Sequence, residues 1–201
     1  MLGLPKATEL SKQLPKNAIY AKFQMNTAEK AKIDADISRI TIVNEVSAEK
    51  VHIAASDQVK SFFVLLVALK KKDFDDKTII TISKLIPQNM LLVLECGDEA
   101  KLAIYHTKLM QTEWKRKKEL SVELKGLNLD AVWENIIIQI GGITVDQGNT
   151  LDEQIAVDEQ RMRIQKELDR LTKQAKNEKQ PKKKFELVQK MNRLKKELEE
   201  I

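Results

Sequence analysis

Pro181 stands between two short stripes of aliphatic residues, and this arrangement tightly limits how the end of the chain can fold. Ile164, Leu168, Leu171 and Ala175 are spaced four, three and four residues apart. Leu187, Met191, Leu194, Leu198 and Ile201 are spaced four, three, four and three apart. Each set places one apolar seam along a helix, as in a coiled coil. Proline fits the first turn of a helix and disrupts its middle. The segment Asn177 to Pro181 therefore predicts a turn between two antiparallel helices. Each seam is short, so the hairpin is expected to dock on its own domain, pair with a second copy or receive a partner.

The composition changes sharply at the start of this hairpin. After Thr150 no Gly, Trp or Tyr remains, and Glu, Lys, Gln, Arg and Leu dominate. Residues 143–150 read as a polar linker and residues 1–142 as a globular domain. Over the whole chain 42% of residues are hydrophobic but only 4% aromatic, so the domain core must be aliphatic. The resulting expectation is an α+β fold: a mixed, mainly antiparallel sheet with flanking helices, followed by the hairpin.

Within the domain, Leu2 to Gln13 reads as a short helix that Pro15 interrupts, and Ile19 to Phe23 as an extended segment. Asn26 or Thr27 can cap a helix running to Asp36. Ile37 to Val46 alternates with the period of a strand. Ala48 to Lys50 reads as a turn, Val51 to Ala54 as a second strand, and Ser56 to Gln58 as another turn. Val59 to Lys70 is continuously apolar in its middle, as a strand buried on both faces would be. Asp76 is the expected cap of a helix to Ile86, closed by Pro87. Met90 to Cys96 and Ala100 to Thr107 form a hairpin around Gly97-Asp98. Leu120 to Leu124 alternates like an edge strand. A last helix starts at Asp130 and stops at Gly141 and Gly142.

Charge is concentrated in the hairpin. The chain carries +5 overall. Between Lys173 and Lys196 stand ten Lys/Arg against two Asp/Glu, a local surplus of +8. Lys173, Lys176, Lys179, Lys182, Lys183, Lys184, Lys190 and Arg193 are the candidate contacts to a phosphate backbone or an acidic protein surface. No interleaved aromatics accompany them, which disfavours base stacking on single strands.

Motifs for chemistry are scarce. The chain has no phosphate-cradling glycine loop, no CxxC or HExxH metal pattern and no GxSxG elbow. No cofactor or metal is expected. Cys96, the only cysteine, excludes an internal disulfide and reads as a small core residue. His52 and His106 fall in expected strands, and Trp114 and Trp133 read as packing residues. One order of elements, helix, three strands, helix, strand over residues 28–96, matches the core of PD-(D/E)xK nucleases. Asp57 and Lys70 are the weak catalytic candidates there, but Ala68 stands where that site needs an acid. Met1 to Leu10 has no signal pattern, and the longest apolar run, Phe62 to Leu69, is too short to span a bilayer. A cytoplasmic protein with no membrane contact is expected.

Several segments, in order along the chain, resemble the bacterial domain-of-unknown-function 4391 family. They are Leu14-Pro15-Lys16 with Tyr20, Leu69-Lys70, the helix into Ile86-Pro87 with Met90 to Leu94, and Glu113-Trp114. Leu124 to Leu129 follows, then Glu178 to Gln180, Lys184 to Leu187 and Leu194 to Leu198. Gln88-Asn89 and Ile42 depart from the family pattern. The resemblance implies a locus shared with DNA methyltransferase, helicase and restriction genes of anti-phage defence. It suggests an accessory subunit that binds such a partner and contacts DNA backbone. The rival readings are a divergent metal nuclease and a coiled-coil structural protein that self-assembles through the Leu187 to Ile201 seam.

Overall fold

The computed structural model describes residues 2–84 and 87–201. The chain forms two compact units, one ending at Gly142 and one spanning Ile143–Ile201.

The first unit is built on a seven-stranded sheet. Its elements run β1 (Glu9–Leu14), α1 (Lys16–Lys22), α2 (Thr27–Asp36), β2 (Ile37–Ser47), α3 (Ala48–Val51) and β3 (Ser61–Leu69). Then come α4 (Asp76–Ser83), β4 (Asn89–Cys96), β5 (Glu99–Tyr105), β6 (Leu109–Gln111), β7 (Lys115–Arg116) and α5 (Leu129–Gly141). The strands lie in the order β1-β2-β3-β4-β5-β6, with β7 also on β5. All neighbours are antiparallel except β3 and β4, which are parallel and joined through α4.

The sequence explains the middle of this sheet. β2 alternates buried with less buried side chains, β3 alternates buried with half-buried ones around the consecutive buried pair Val64 and Leu65, and β4 is buried on both faces from Met90 to Leu94. Alternation of period two sends Leu65, Val67 and Leu69 to one face, where they pack with Ile19, Ile33, Ile79 and Ile82 of α1, α2 and α4. Phe62 points to the other face, its ring 5.1 Å from that of Trp133 on α5. Asn26 caps α2 in a full capping box with Glu29, and Gly142 ends α5 in the left-handed conformation.

Several local expectations need correction. Residues 2–13 are not a helix: a 3-10 turn at Lys6–Thr8 leads into β1. Buried Thr8 donates to the Pro5 carbonyl and accepts from Asn44 Nδ2 at 2.8 Å, so pairing with β2 overrides local propensity. Residues 19–23 are not extended, because Pro15 sits just ahead of α1 and Ile19 is its fully buried anchor. Residues 51–54 form no strand. α3 ends at His52, which is left-handed, and Ala54 makes a single bridge to Asn128. Residues 120–124 bury Leu120 and Val122 as their alternation implies, but no strand pairs with them; Val122 N donates to the Leu2 carbonyl. Asp75, not Asp76, caps α4, and α5 begins at Leu129, one residue ahead of the expected start at Asp130, with Asn128 as its cap. The expected end of the α4 helix at Leu85 and Ile86 lies outside the described residues. His106 follows β5 rather than lying within it.

The second unit is α6 (Leu151–Asn177) and α7 (Pro181–Glu200), an antiparallel helical hairpin. Arg161 Nη2 donates to the Ile201 carbonyl, and Glu167 faces Lys190, which fixes the direction. Thr150 caps α6 through a capping box with Glu153. Gln154, 1% exposed, holds the preceding segment by accepting from Asp146 N and Asn149 Nδ2. No helix among the described residues is long and apolar enough to cross a membrane.

Candidate functional site

The parallel pair β3 and β4 sets two strand carboxyl ends side by side, with α4 following the first, the usual position for sites in such folds. Here the chain after Leu69 meets the junction of α2 and β2. Lys70 N donates to the Asp36 carbonyl at 2.8 Å, and Lys70 Nζ to the Asp34 carbonyl at 2.5 Å. Asp34 Oδ1 accepts from Lys16 Nζ at 2.8 Å and from the Tyr20 hydroxyl at 2.7 Å. Lys16 Nζ also donates to the Ile37 carbonyl. Beside them, the buried Asp36 carboxylate lies 3.1 Å from Lys71 Nζ and accepts from Asp75 N at 3.2 Å.

Electrostatics fix the protonation of this corner. Burial, then the hydrogen bond to Asp34 and its charge, push the Tyr20 phenol up to about 12. The bonds from Lys16 and Tyr20 hold the Asp34 carboxyl below its ordinary value against a smaller burial effect, with the Lys16 and Lys70 charges helping. Tyr20 stays protonated and Asp34 ionised, so the corner is a knot tying α1, α2 and the β2–β3 ends together.

Lys70 lies at this corner, but Asp57 does not reach it. Asp57 precedes β3 and Lys70 follows it, and nine strand residues at about 3.3 Å each separate them by roughly 30 Å. Ala68 faces Arg39 across the ladder, and the strand expected to carry the acid is absent. Among the described residues no group of three or more His, Cys, Asp or Glu is placed to hold a metal ion. A second cluster lies near Trp114. Lys101 Nζ is 4.8 Å from the Phe74 ring centre and 5.2 Å from that of Trp114, with Lys72 also over Trp114. Burial lowers the Lys101 amine, with Asp76 and Glu113 opposing.

The hairpin has a different character. On α6, Ile164, Leu168, Leu171 and Ala175 are buried. On α7, Leu187, Met191, Leu194 and Leu198 are half-buried and no residue is fully buried. Lys173, Lys176, Lys179, Lys182, Lys183, Lys184, Lys190 and Arg193 are all exposed, as are Lys195 and Lys196. An open groove of about 740 Å³ lies along the turn end of the two helices. Lys173, Lys183 and Lys190 line it, with Glu178, Glu186 and Leu187. Glu178 is turned back onto Gln180 N, and Glu167 onto Arg170. Phe185 is 63% exposed beside the Lys182 to Lys184 run.

The family model Domain of unknown function (DUF4391) matches residues 2–198. The chain belongs to this family. No curated protein and no solved structure matches it. In this DUF4391 chain the segments that carry the resemblance have clear places. Lys16, Tyr20 and Lys70 converge on Asp34. Gly126, at φ +153°, lets Leu127 and Asn128 pass so close to α5 that an added Cβ would meet Val132 N at 2.7 Å. Sequence reasoning named Lys16 and Tyr20 only as family likeness and Lys70 also as a weak catalytic candidate, and it missed Asp34 and Asp36. Neither aspartate belongs to a motif, and only the tertiary fold brings it to Lys70.

Proposed function

We propose that this DUF4391 chain is a non-catalytic interaction subunit of a bacterial or archaeal DNA-processing complex of the restriction or defence type. In this reading the α+β unit docks on a partner enzyme and the hairpin reaches a polyanionic surface. The observation that carries it is the exposure of every Lys and Arg between 173 and 196 on helices whose apolar seam faces inward. A surplus of +8 there exceeds the +5 of the whole chain, so the rest of the molecule is net acidic. Such a field attracts an anionic surface to one end of one element and speeds encounter with it. The saturated corner around Asp34 supports a scaffold role, since its polar groups hold each other. The family's genomic company, a helicase, methyltransferase or restriction subunit, supplies the class of partner.

The test is affinity purification of the tagged full-length chain from its host, with and without nuclease. Recovery of such an enzyme after nuclease treatment is expected. A clean monomer with no protein partner under either condition would refute the reading.

A further inference from the structure

The hairpin is electrically polar along its length, and this polarity points to a particular ligand. The half nearer the turn, residues 165–190, carries nine Lys/Arg against four Asp/Glu, a surplus of +5, with Lys173 and Lys176 on the last turns of α6 and Lys182 to Lys184 on the first turn of α7. The opposite half, residues 151–164 and 191–201, carries seven Asp/Glu against five Lys/Arg, a balance of −2. Asp152, Glu153, Asp158 and Glu159 lie in the first half of α6, and Glu197, Glu199 and Glu200 in the last turn of α7. Because the helices are antiparallel, both acidic segments share one end and both basic segments the other. An approaching polyanion is drawn to the turn and repelled from the base.

From these observations we infer that the groove between α6 and α7, with Lys173, Lys183 and Lys190, takes the phosphate backbone of duplex nucleic acid without reading its sequence. The inference rests on the docking-subunit reading and names the polyanion. Three features favour a duplex over an acidic protein. Nine of the ten basic residues from Lys173 to Lys196 are lysines. Lysine meets phosphate as a point charge with no fixed pairing geometry, which suits a contact that reads no sequence, whereas planar bidentate pairing with carboxylate or phosphate selects arginine. The charge is also spread out. Lys182 to Lys196 covers fourteen rises of about 1.5 Å, roughly 21 Å of helix, and duplex DNA offers a phosphate charge about every 1.7 Å of axis along such a length. Third, the exposed face of α7 carries Phe185 and Val188 as its only exposed large hydrophobic side chains. That is too small an apolar centre for a protein hot spot. A single aromatic is likewise no stacking platform for a single strand.

The test is fluorescence anisotropy of the full-length chain with a fluorescein-labelled 20-base-pair duplex of mixed sequence, titrated at NaCl concentrations between about 50 and 200 mM. The triple variant Lys173→Gln, Lys183→Gln, Lys190→Gln is compared with a control of equal charge change on the first unit: Lys6→Gln, Lys12→Gln, Lys118→Gln. Circular dichroism verifies that both variants keep their helices. Three lost phosphate contacts, each contributing a slope of about −0.9, should flatten the plot of log K against log[salt] by about 2.7. They should also weaken binding at 100 mM salt on the order of 10²-fold. The control should match the unmodified chain, and a second duplex of different sequence should bind equally. Equal slopes for the triple variant and the unmodified chain would overturn the inference, as would competition by poly-glutamate at the same charge concentration as duplex. If no duplex binding is seen while a nuclease-resistant partner is still recovered, this inference fails and the docking reading stands. Duplex binding with no recovered partner has the opposite meaning.

Discussion

Asp36 offers the most direct test of whether the charged corner is a structural knot. Its side chain is 6% exposed and has two partners, Lys71 Nζ at 3.1 Å and Asp75 N at 3.2 Å. Asp75 in turn caps α4 by accepting from Lys77 N. In Asp36→Ala the backbone bond from Lys70 survives, since it uses the Asp36 carbonyl. Both side-chain bonds are lost and the Asp75 N–H is left without its acceptor. Two net hydrogen bonds of about 0.5–1.5 kcal/mol each, with about 1–3 kcal/mol for an unpaired buried donor, suggest a cost of roughly 2–4 kcal/mol after partial relaxation. In Asp36→Asn the amide oxygen still accepts from Asp75. Lys71, 53% exposed, returns to water, so the cost should be about 0.5–1 kcal/mol. Trp114 and Trp133 are the only tryptophans and both lie in the first unit, so urea unfolding followed by tryptophan fluorescence reports on that unit. With a slope of about 2 kcal/mol per molar urea, the alanine variant should lose roughly 1–2 M in midpoint and the asparagine variant under about 0.5 M. If the two variants lose the same stability, or the alanine variant loses none, the carboxylate is not positioning the loop into α4 and the reasoning fails.

Four further outcomes are expected. Tyr20 is held protonated beyond its ordinary pKa of 10.0, so its contribution to stability is full below pH 10 and fades as pH rises toward about 12; phenolate absorbance should show Tyr20 ionising late and Tyr20→Phe ionising without that phase. Asp34 is depressed below 3.8, so its contribution is present above that pH and is lost as acid protonates it; the urea-midpoint difference between the unmodified chain and Asp34→Asn should shrink on acidification below pH 4. Gly126→Ala combines a φ of +153° with a Cβ 2.7 Å from Val132 N, and should cost about 2–4 kcal/mol in the same denaturation assay, whereas Leu168→Ala, truncating a side chain 6% exposed, should cost about 2–5 kcal/mol and be read in helical circular dichroism of the hairpin.

The parts of the fold legible in the sequence are those whose patterns are long and repeat. The four-three spacing around Pro181 specifies an antiparallel hairpin because each helix offers the other an apolar stripe across a short turn. β2, β3 and β4 show as runs of Ile, Val and Leu because each buries at least one whole face. What was not legible depends on partners distant in sequence. β1 shows five exposed residues of six, so it has no apolar pattern and is a strand only through its ladder with β2. The alternation of Leu120 and Val122 correctly signals burial but not pairing, because alternation reports which side chains turn inward and not which backbone lies alongside. Val51 to Ala54 has strand-like residues, yet α3 and the left-handed His52 turn that backbone out of the sheet. The charged corner was hidden for the same reason. Lys16, Asp34 and Lys70 come from three elements, and no local spacing relates them.

The protonation states at that corner bear on what the chain does. Proton transfer in catalysis works best from a group whose pKa lies near the working pH. At this corner the arrangement moves both titrating partners the other way: burial and the bond to Asp34 push the phenol of Tyr20 up, and the bonds from Lys16 and Tyr20 pull the carboxyl of Asp34 down. A shared proton between them is pinned on tyrosine over the whole neutral range, and the two lysines add charge that deepens the pinning at Asp34. Such a pair gains rigidity as it loses reactivity. The hairpin is organised by the opposite logic. Its lysines from 173 to 196 are exposed, and Lys190 lies 3.7 Å from Glu167, which is itself bonded to Arg170. Unneutralised charge on a solvated helix contributes little to folding and destabilises the compact state slightly through self-repulsion. A stable sheet with its ionisable groups locked and a hairpin with its cations left open is the division expected of a scaffold that presents a binding surface, and it is why the duplex titration and the Asp36 variants probe separate halves of one reading.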